Sequence, residues 1–263
     1  MSIAGVLFLV FIILLLLNVP IALGLGLASL VAMVMSGTPL DMLPMQIYAA
    51  TGKFTLLAIP FFILAGNIME KAGISDKLIN LANKFVGHKK GGLAIVCVIT
   101  SCFFAAISGS GPATVASLGV IIIPAMVKAG YGKGMSSALM STAGAIGIII
   151  PPSIAFVVYG AVAEVSIGKI FVAGIIPGLL MGACLIVASL LICNKTDIEM
   201  QPIASKEEKV KAFKEAIWGL LMPVIILGGI YGGIFTPTEA AAVSAVYGLF
   251  VGVFIYKKIK WKE

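Results

Sequence analysis

The chain contains no arginine: all 18 of its basic residues are lysines. Bidentate capture of a carboxylate by a guanidinium fork is therefore unavailable within it. It contains one histidine, His88, which sits in a lysine-rich stretch away from every serine that an intramembrane hydrolase would use. No GxSxG surrounds Ser108 or Ser110, no HExxH occurs, and no paired carboxylates lie within an apolar run. Gly132-Lys133 is followed by glycine rather than serine or threonine, and lacks the spaced glycine of a phosphate loop. Serine hydrolysis, metal-assisted hydrolysis and ATP-driven pumping are all unsupported, and no enzyme is expected. Cysteine is scarce too. The four cysteines (Cys97, Cys102, Cys184, Cys193) form no CxxC pair and lie in or at the ends of apolar runs, where they read as small buried hydrophobes.

Charge is also scarce, at 11% of residues against roughly 25% in soluble domains. Apolar residues make up 60% of the chain, and mean hydropathy is +1.16. The composition is that of an all-α polytopic membrane protein whose surroundings are the lipid bilayer. The net charge of +7 comes from lysines gathered between apolar runs, so it is no footprint of nucleic-acid binding. The N-terminus has neither a basic leader region nor a small-residue cleavage site, and it reads as a first membrane helix.

Apolar segments fall at 3–18, 20–36, 54–70, 91–107, 112–127, 134–163, 168–193, 214–235 and 239–256. Residues 3–36 are too long for one span, and Asn18-Val19-Pro20 is the expected turn between two helices. Lysines cluster at 71–90 (Lys71, Lys77, Lys84, Lys89, Lys90), at 195–214 (Lys195, Lys206, Lys209, Lys211, Lys214) and at 257–262. Starting the chain outside and letting 91–127 enter and return places every cluster in the cytoplasm, as the positive-inside rule requires. The N-terminus is then extracytoplasmic. Residues 74–90 carry Ile74, Leu78, Ile79, Leu81, Ala82 and Phe85 on one helical face, which predicts an amphipathic helix along the cytoplasmic surface. Residues 3–36 and 218–256 look like one helical hairpin used twice in opposite orientations, the pattern of an inverted repeat.

Two interruptions break the apolar pattern. The first is ISGSGPATVAS at 107–117. A re-entrant hairpin would run in through 91–107, break at Ser108-Gly109-Ser110-Gly111, and return from Pro112. Ser110 and Gly111 suit a cap, and Pro112 suits the first turn. Carbonyls at the end of the incoming helix and the hydroxyls of Ser108, Ser110 and Thr114 are hard ligands for Na⁺. The N–H groups opening the outgoing helix suit an anion. Close packing of two full spans through small residues explains the same pattern locally. The second interruption is STAGAIGIIIPPS at 141–153, where Gly144, Gly147, Pro151, Pro152 and Ser153 fall inside a 30-residue apolar run. A proline kink is its ordinary reading. Two interruptions between the same pair of hairpins are more economically read as one joint site. Glu70, Asp76, Glu164 and Glu239 fall at span ends, where interfacial solvation is the default.

The stretches LAIPFFILAGNIMEKAGIS (57–75), SGSGPATVASLGVIIIPAM (108–126), AGAIGIIIPPSIAFVVYG (143–160), GKIFVAGIIPGLLMG (168–182) and FTPTEAAAVSAVYG (235–248) carry a resemblance. The chain resembles the large membrane subunit of tripartite ATP-independent periplasmic (TRAP) transporters, over roughly the first ~60% of the family's length. The resemblance implies an inverted-repeat, elevator-type importer of organic acids in the bacterial inner membrane. It also implies Na⁺ as coupling ion, no other cofactor, a periplasmic substrate-binding protein and a small four-helix membrane subunit as partners. On this reading Na⁺ is held by Ser108, Ser110, Thr114, Gly144 and Gly147. Gly109, Gly111 and Pro112 belong to the same tip, and Pro151, Pro152 and Ser153 to the facing loop.

The expected organisation is a scaffold hairpin at 1–56, then a third span with its cytoplasmic arm at 57–90. A transport half at 91–193 holds the hairpin 91–127, the broken helix 134–163 and the span 168–193. A cytoplasmic loop at 194–213 and a second scaffold hairpin at 214–263 complete it. The family's second hairpin and unwound loop are not in this sequence, so a partial subunit is expected. A standalone carrier half and a non-transporting membrane scaffold stay open beside it.

Overall fold

The computed structural model describes residues 2–194, 198 and 200–259. Lys195, Lys260, Lys262 and Glu263, which entered the reading of the lysine clusters and the chain end, lie outside the described residues. Every helix, strand or bridge assigned among the described residues is helical, and five helices are long and apolar enough to cross a membrane. The protein is an all-α polytopic membrane protein. It divides into two units, Met1–Lys53 and Phe54–Glu263.

The first unit is a hairpin with a short appendix. Helix α1 (Ile3–Leu16) starts at Ser2, whose hydroxyl accepts from the amide of Gly5. The chain reverses through Asn18 at φ 60°, a left-handed position that asparagine tolerates better than most residues. Pro20 then caps α2 (Ile21–Ser36). The turn thus falls where Asn18-Val19-Pro20 predicts it. The buried residues of α2 are Gly24, Ala28 and Ala32, one per helical turn, so a small-residue ridge faces α1 beside Phe11. A third helix, α3 (Met42–Thr51), was not anticipated. It buries none of its residues and holds Pro44 and Gln46 among its apolar positions, so hydropathy does not signal it.

The second unit is built around one helix. It contains α4 (Ala58–Lys71), α5 (Ile74–Val86), α6 (Gly92–Ser108), α7 (Gly111–Lys128), α8 (Lys133–Ala145), α9 (Ile154–Ala163), α10 (Ile167–Cys193), α11 (Lys206–Tyr231) and α12 (Pro237–Phe250). Nearly every residue of α6 is buried, because α4, α5, α7, α8, α10 and α11 all pack on it. Helix α12 packs along α4, with Gly248 admitting Ile68 and Met69, and ends in a π-turn at Val251–Ile255.

Two expectations change. The loop expected at 194–213 is partly helix: α11 begins at Lys206, eight residues before the apolar run. The Ser205 hydroxyl accepts from Glu208 N–H while the Glu208 carboxylate accepts from Ser205 N–H, a capping box that nucleates helix in charged sequence. The amphipathic α5 is present, but its apolar face is covered by protein. Ile74, Leu78 and Ala82 are buried, α6 and α11 lie against the helix, and Ile74 fills the space over Gly219 of α11.

The lysines of α5 and of the start of α11, with Lys90 and Lys258, share one end of this unit, whereas Lys169 lies at the other end of α10. Lys84 pairs with Glu208 at 2.7 Å and Lys258 with Asp76 at 3.7 Å. Lys77 sits over the Tyr256 ring, Lys209 over the Phe85 ring, and Lys90 donates to the carbonyl of Asn194. The start of α6 and the ends of α10 and α12 therefore meet at the level of α5.

Candidate functional site

Helix α6 ends at Gly109, in the left-handed conformation (φ 63°), and its amide donates to the Ala105 carbonyl. Ser110 is extended and caps α7, its hydroxyl accepting from Ala113 N–H at 3.4 Å. Pro112 is the second residue of α7, where its missing N–H leaves no helical bond unmade. The tip is thus a two-residue break.

Helix α8 fails in steps. It ends at Ala145, tightens into a 3₁₀ turn at Ile146–Ile148, and passes through the cis Pro151-Pro152 peptide to Ser153. Ser153 is fully buried; its hydroxyl donates to the Ile148 carbonyl at 2.6 Å and accepts from Phe156 N–H at the start of α9. Gly144 lies in the last turn of α8 and Gly147 in the 3₁₀ turn.

These two breaks meet backbone to backbone. The amide of Ile154 donates to the carbonyl of Gly109 at 3.1 Å. A Cβ on Gly109 would sit 2.6 Å from the Pro152 carbonyl oxygen, and one on Gly111 would sit 3.0 Å from that of Gly144. A Cβ on Gly147 would lie 3.1 Å from the Gly111 nitrogen and from the Ser110 carbonyl oxygen. Glycine is therefore required at the crossing by close approach as well as by conformation. The structure brings Ser108, Gly109, Ser110, Gly111, Thr114, Gly144, Gly147, Pro152 and Ser153 into one locus. Pro112 is exposed on its edge, while Pro151 is buried in the loop.

Three oxygens cluster at the tip. Ser108 Oγ lies 3.3 Å from Thr114 Oγ1 and 3.4 Å from the Ser110 carbonyl, and Thr114 Oγ1 donates to that carbonyl at 2.8 Å. Ser108 and Thr114 are buried. An octahedral face around a hard cation with metal–oxygen distances of about 2.4 Å has edges of about 3.4 Å. Two edges of the triangle already have that length. The third is shorter because it is itself a hydrogen bond. The N-termini of α7 and α9 converge on the same place, which adds positive dipole ends beside hydroxyl and carbonyl oxygens. Among the described residues no cluster of His, Cys, Asp or Glu could hold a metal.

The depth of the site follows from helix lengths. Helix α10 has 27 residues, about 40 Å at ~1.5 Å per residue. Its Ile167 end follows α9, and its Cys193 end meets Gly91 at the start of α6. Gly174 accommodates the Ile149 carbonyl and Phe156, Gly178 accommodates Ile150, and Gly182 accommodates Cys102 and Ile146. The break therefore sits about 10–17 Å in from the Ile167 end, well inside a helix longer than the hydrocarbon core of roughly 30 Å. Helix α6 ends at the break and α7 begins there, while Lys128 and Lys133 join α7 to α8 at the far end, so both arms of the hairpin run between the break and that end.

Sequence reading missed the residues that make room for the site. Gly66 of α4 lies against Ser108, where a Cβ would be 3.2 Å from the serine Cα. Gly174, Gly178 and Gly182 form a ridge on α10, and their four-residue spacing is a legible packing signal. Ser117, on the returning arm of the hairpin, is a buried hydroxyl without a hydrogen-bond partner among the described residues.

Comparison with known proteins matches residues 8–263 to the family model described as tripartite ATP-independent periplasmic transporter, DctM component. The chain is 48% identical over 259 residues to the isethionate TRAP transporter permease protein DctMQ of Oleidesulfovibrio alaskensis, covering 97% of this chain and 40% of that protein. It is 48% identical over 255 residues to the C4-dicarboxylate TRAP transporter large permease protein DctM of Vibrio cholerae, covering 96% and 56%. The sialic acid TRAP transporter large permease protein SiaM of Vibrio cholerae is 42% identical over 224 residues, covering 85% and 52%. The chain spans about half the length of the curated relatives it matches.

Proposed function

This chain belongs to the DctM component family of tripartite ATP-independent periplasmic transporters, and from that premise we propose that it forms part of a Na⁺-coupled importer of organic acids. The observation that carries the reading is the apposition of the hairpin tip and the broken helix. Ser108 Oγ, Thr114 Oγ1 and the Ser110 carbonyl supply one face of a Na⁺ site. The tip and loop glycines hold the two breaks close enough to act as one element. Isethionate, C4-dicarboxylates and sialic acid, the substrates in the relatives' names, are all anions at neutral pH. With no arginine in the chain, the converging helix N-termini of α7 and α9 are the natural partners for the substrate's negative charge.

The rest of the system follows from the same premise. A periplasmic binding protein delivers the acid, and a small four-helix membrane subunit assembles with the large one. The lysine-bearing end of the second unit faces the cytoplasm, by the positive-inside rule. The tip, the loop and α10 move together as a rigid carrier, because the tip and loop meet through backbone atoms and the α10 glycines seat the loop's Ile149 carbonyl and Ile150 side chain at close range. Uptake tests the proposal. Cells devoid of their own dicarboxylate uptake would express this chain together with the remaining segment, small subunit and binding protein of the Vibrio cholerae C4-dicarboxylate system. Accumulation of labelled C4-dicarboxylate that requires Na⁺ and this chain is expected. Intact assembly without Na⁺-dependent accumulation would overturn it.

A further inference from the structure

A recess lies on α4 beside the residues that back the hairpin tip, since its lining residue Asn67 follows Gly66, and it opens toward the lysines that end α4 and follow α12. It is a cavity of about 520 Å³ between α4 and the end of α12. Leu64, Ile68 and Leu249 form its apolar wall, and Asn67, Lys71 and Lys258 form its polar rim. Lys71 is exposed in the last turn of α4, one helical turn beyond Asn67, and has no ionic partner among the described residues. Lys258 reaches over Gly73, where a Cβ would meet its ammonium and methylene carbons. Its ion pair with Asp76 is long, at 3.7 Å, and both side chains are more than half exposed. Asp76 therefore leaves much of the Lys258 charge available.

Asn67 is the second observation. It is exposed on α4 beside Leu64 and Ile63, both 46% exposed, and α4 together with the 3₁₀ turn before it (Phe54–Leu57) is apolar and long enough to cross the membrane. Its amide has no hydrogen-bond partner among the described residues. A primary amide facing hydrocarbon unpaired is costly. Here the amide lies one turn before Lys71 on α4 and shares the recess with Lys258 and the apolar wall.

We propose that this recess is a specific binding site for one anionic phospholipid. The headgroup phosphate lies between Lys71 and Lys258, Asn67 donates to the phosphate or a glycerol-ester oxygen, and an acyl chain runs along Leu64, Ile68 and Leu249. Basic recesses between membrane helices recognise such headgroups by charge and confine the chain by shape. Free phosphate shares the headgroup chemistry but cannot use the apolar wall. The recess is lined by no residue of the tip or the loop, and the inference does not rest on the function proposed above.

The test is native mass spectrometry of the full chain in mild detergent, titrated with phosphatidylglycerol, phosphatidylcholine or glycerol 3-phosphate. One phosphatidylglycerol is expected to remain bound at activation energies that strip phosphatidylcholine, with glycerol 3-phosphate unable to displace it. K71Q/K258Q should weaken retention about tenfold or more, since each lysine near an anionic headgroup contributes substantially. K206Q/K211Q, which removes two lysines of α11 that do not line the recess, should leave retention unchanged. Asn67→Leu carries the test should the double variant fail to fold, with a several-fold loss expected. Equal retention by wild type and Asn67→Leu, an equal loss in the α11 control, or displacement by glycerol 3-phosphate would each overturn the proposal. So would loss of the lipid on assembly with a partner membrane subunit, because this face would then be the partner's seat.

Discussion

The Ile154 amide donates to the Gly109 carbonyl across 3.1 Å, joining the first residue of α9 to the residue that ends α6 at the hairpin tip, 45 residues earlier in the chain. A carbonyl at a helix C-terminus and an amide at a helix N-terminus are both orphans of their own helices. Here each satisfies the other, so neither of these two groups is left bare where the breaks meet. The bond makes the two interruptions one mechanical unit.

That unit depends on glycine at Gly109. Its φ of 63° and the Pro152 carbonyl 2.6 Å from a would-be Cβ both exclude a side chain. Gly109→Ala is expected to destabilise the second unit by about 1–3 kcal/mol. Gly228→Ala, in the interior of α11 with nothing within 4 Å, is expected to be neutral or stabilising by up to about 1 kcal/mol. Thermal unfolding of the two variants in detergent checks the contrast. Equal effects would show that the close crossing is not what demands glycine.

The oxygen triangle yields a direct ion test. Na⁺ at 100 times its dissociation constant should stabilise the wild-type chain by about 2.7 kcal/mol, with K⁺ giving no comparable shift. Ser108→Ala and Thr114→Val each remove one corner, and both should abolish the Na⁺-dependent part of the thermal shift. Thr114→Val also strips the Ser110 carbonyl of its 2.8 Å donor, so a modest loss of stability without Na⁺ accompanies it. A Na⁺ shift that survives both substitutions would place the ion elsewhere.

Most of this architecture is legible in the residues, for a physical reason. Lipid forces every span to be helical and apolar, so a glycine-serine or glycine-proline break stands out as it would not in a soluble protein. Asn18-Val19-Pro20, Ser108–Gly111 and Gly144–Ser153 were visible for that reason. What stayed hidden depends on tertiary neighbours. Nothing local to Gly66 or Gly174 says that a serine or a loop carbonyl will lie against it. Helix α3 escaped because it buries nothing. The early start of α11 was missed because hydropathy does not register a capping box.

The shared lysine end makes a prediction about sidedness. Single cysteines placed at Lys84, Lys90, Lys209 and Lys258, in a background with the four native cysteines replaced, should all react with a membrane-impermeant maleimide from the same side. Cysteines at Lys169 and Val165, at the far end of α10, should react from the opposite side. Labelling in intact cells and in inverted vesicles distinguishes the two, with the lysine set reactive only in inverted vesicles. A mixed pattern within the lysine set would break the topology, since these positions are joined by direct contacts.

The last prediction separates two roles of one carboxylate. Glu208 accepts from the Ser205 amide at 2.8 Å and from Lys84 at 2.7 Å, so it caps α11 and ties that helix to α5 together. Ser205→Ala removes the hydroxyl half of the capping box and should cost about 1 kcal/mol of stability. Lys84→Met removes only an exposed ion pair, which solvent and salt screen, so its effect should be smaller and vanish at high salt. Glu208→Gln keeps an oxygen for the cap but loses the charge opposite Lys84 and at the helix N-terminus, and should fall between the two. Thermal unfolding at low and high salt reads the order. If Lys84→Met is the most damaging, the contact between α5 and α11 depends on the ion pair more than on Ile74 seated over Gly219.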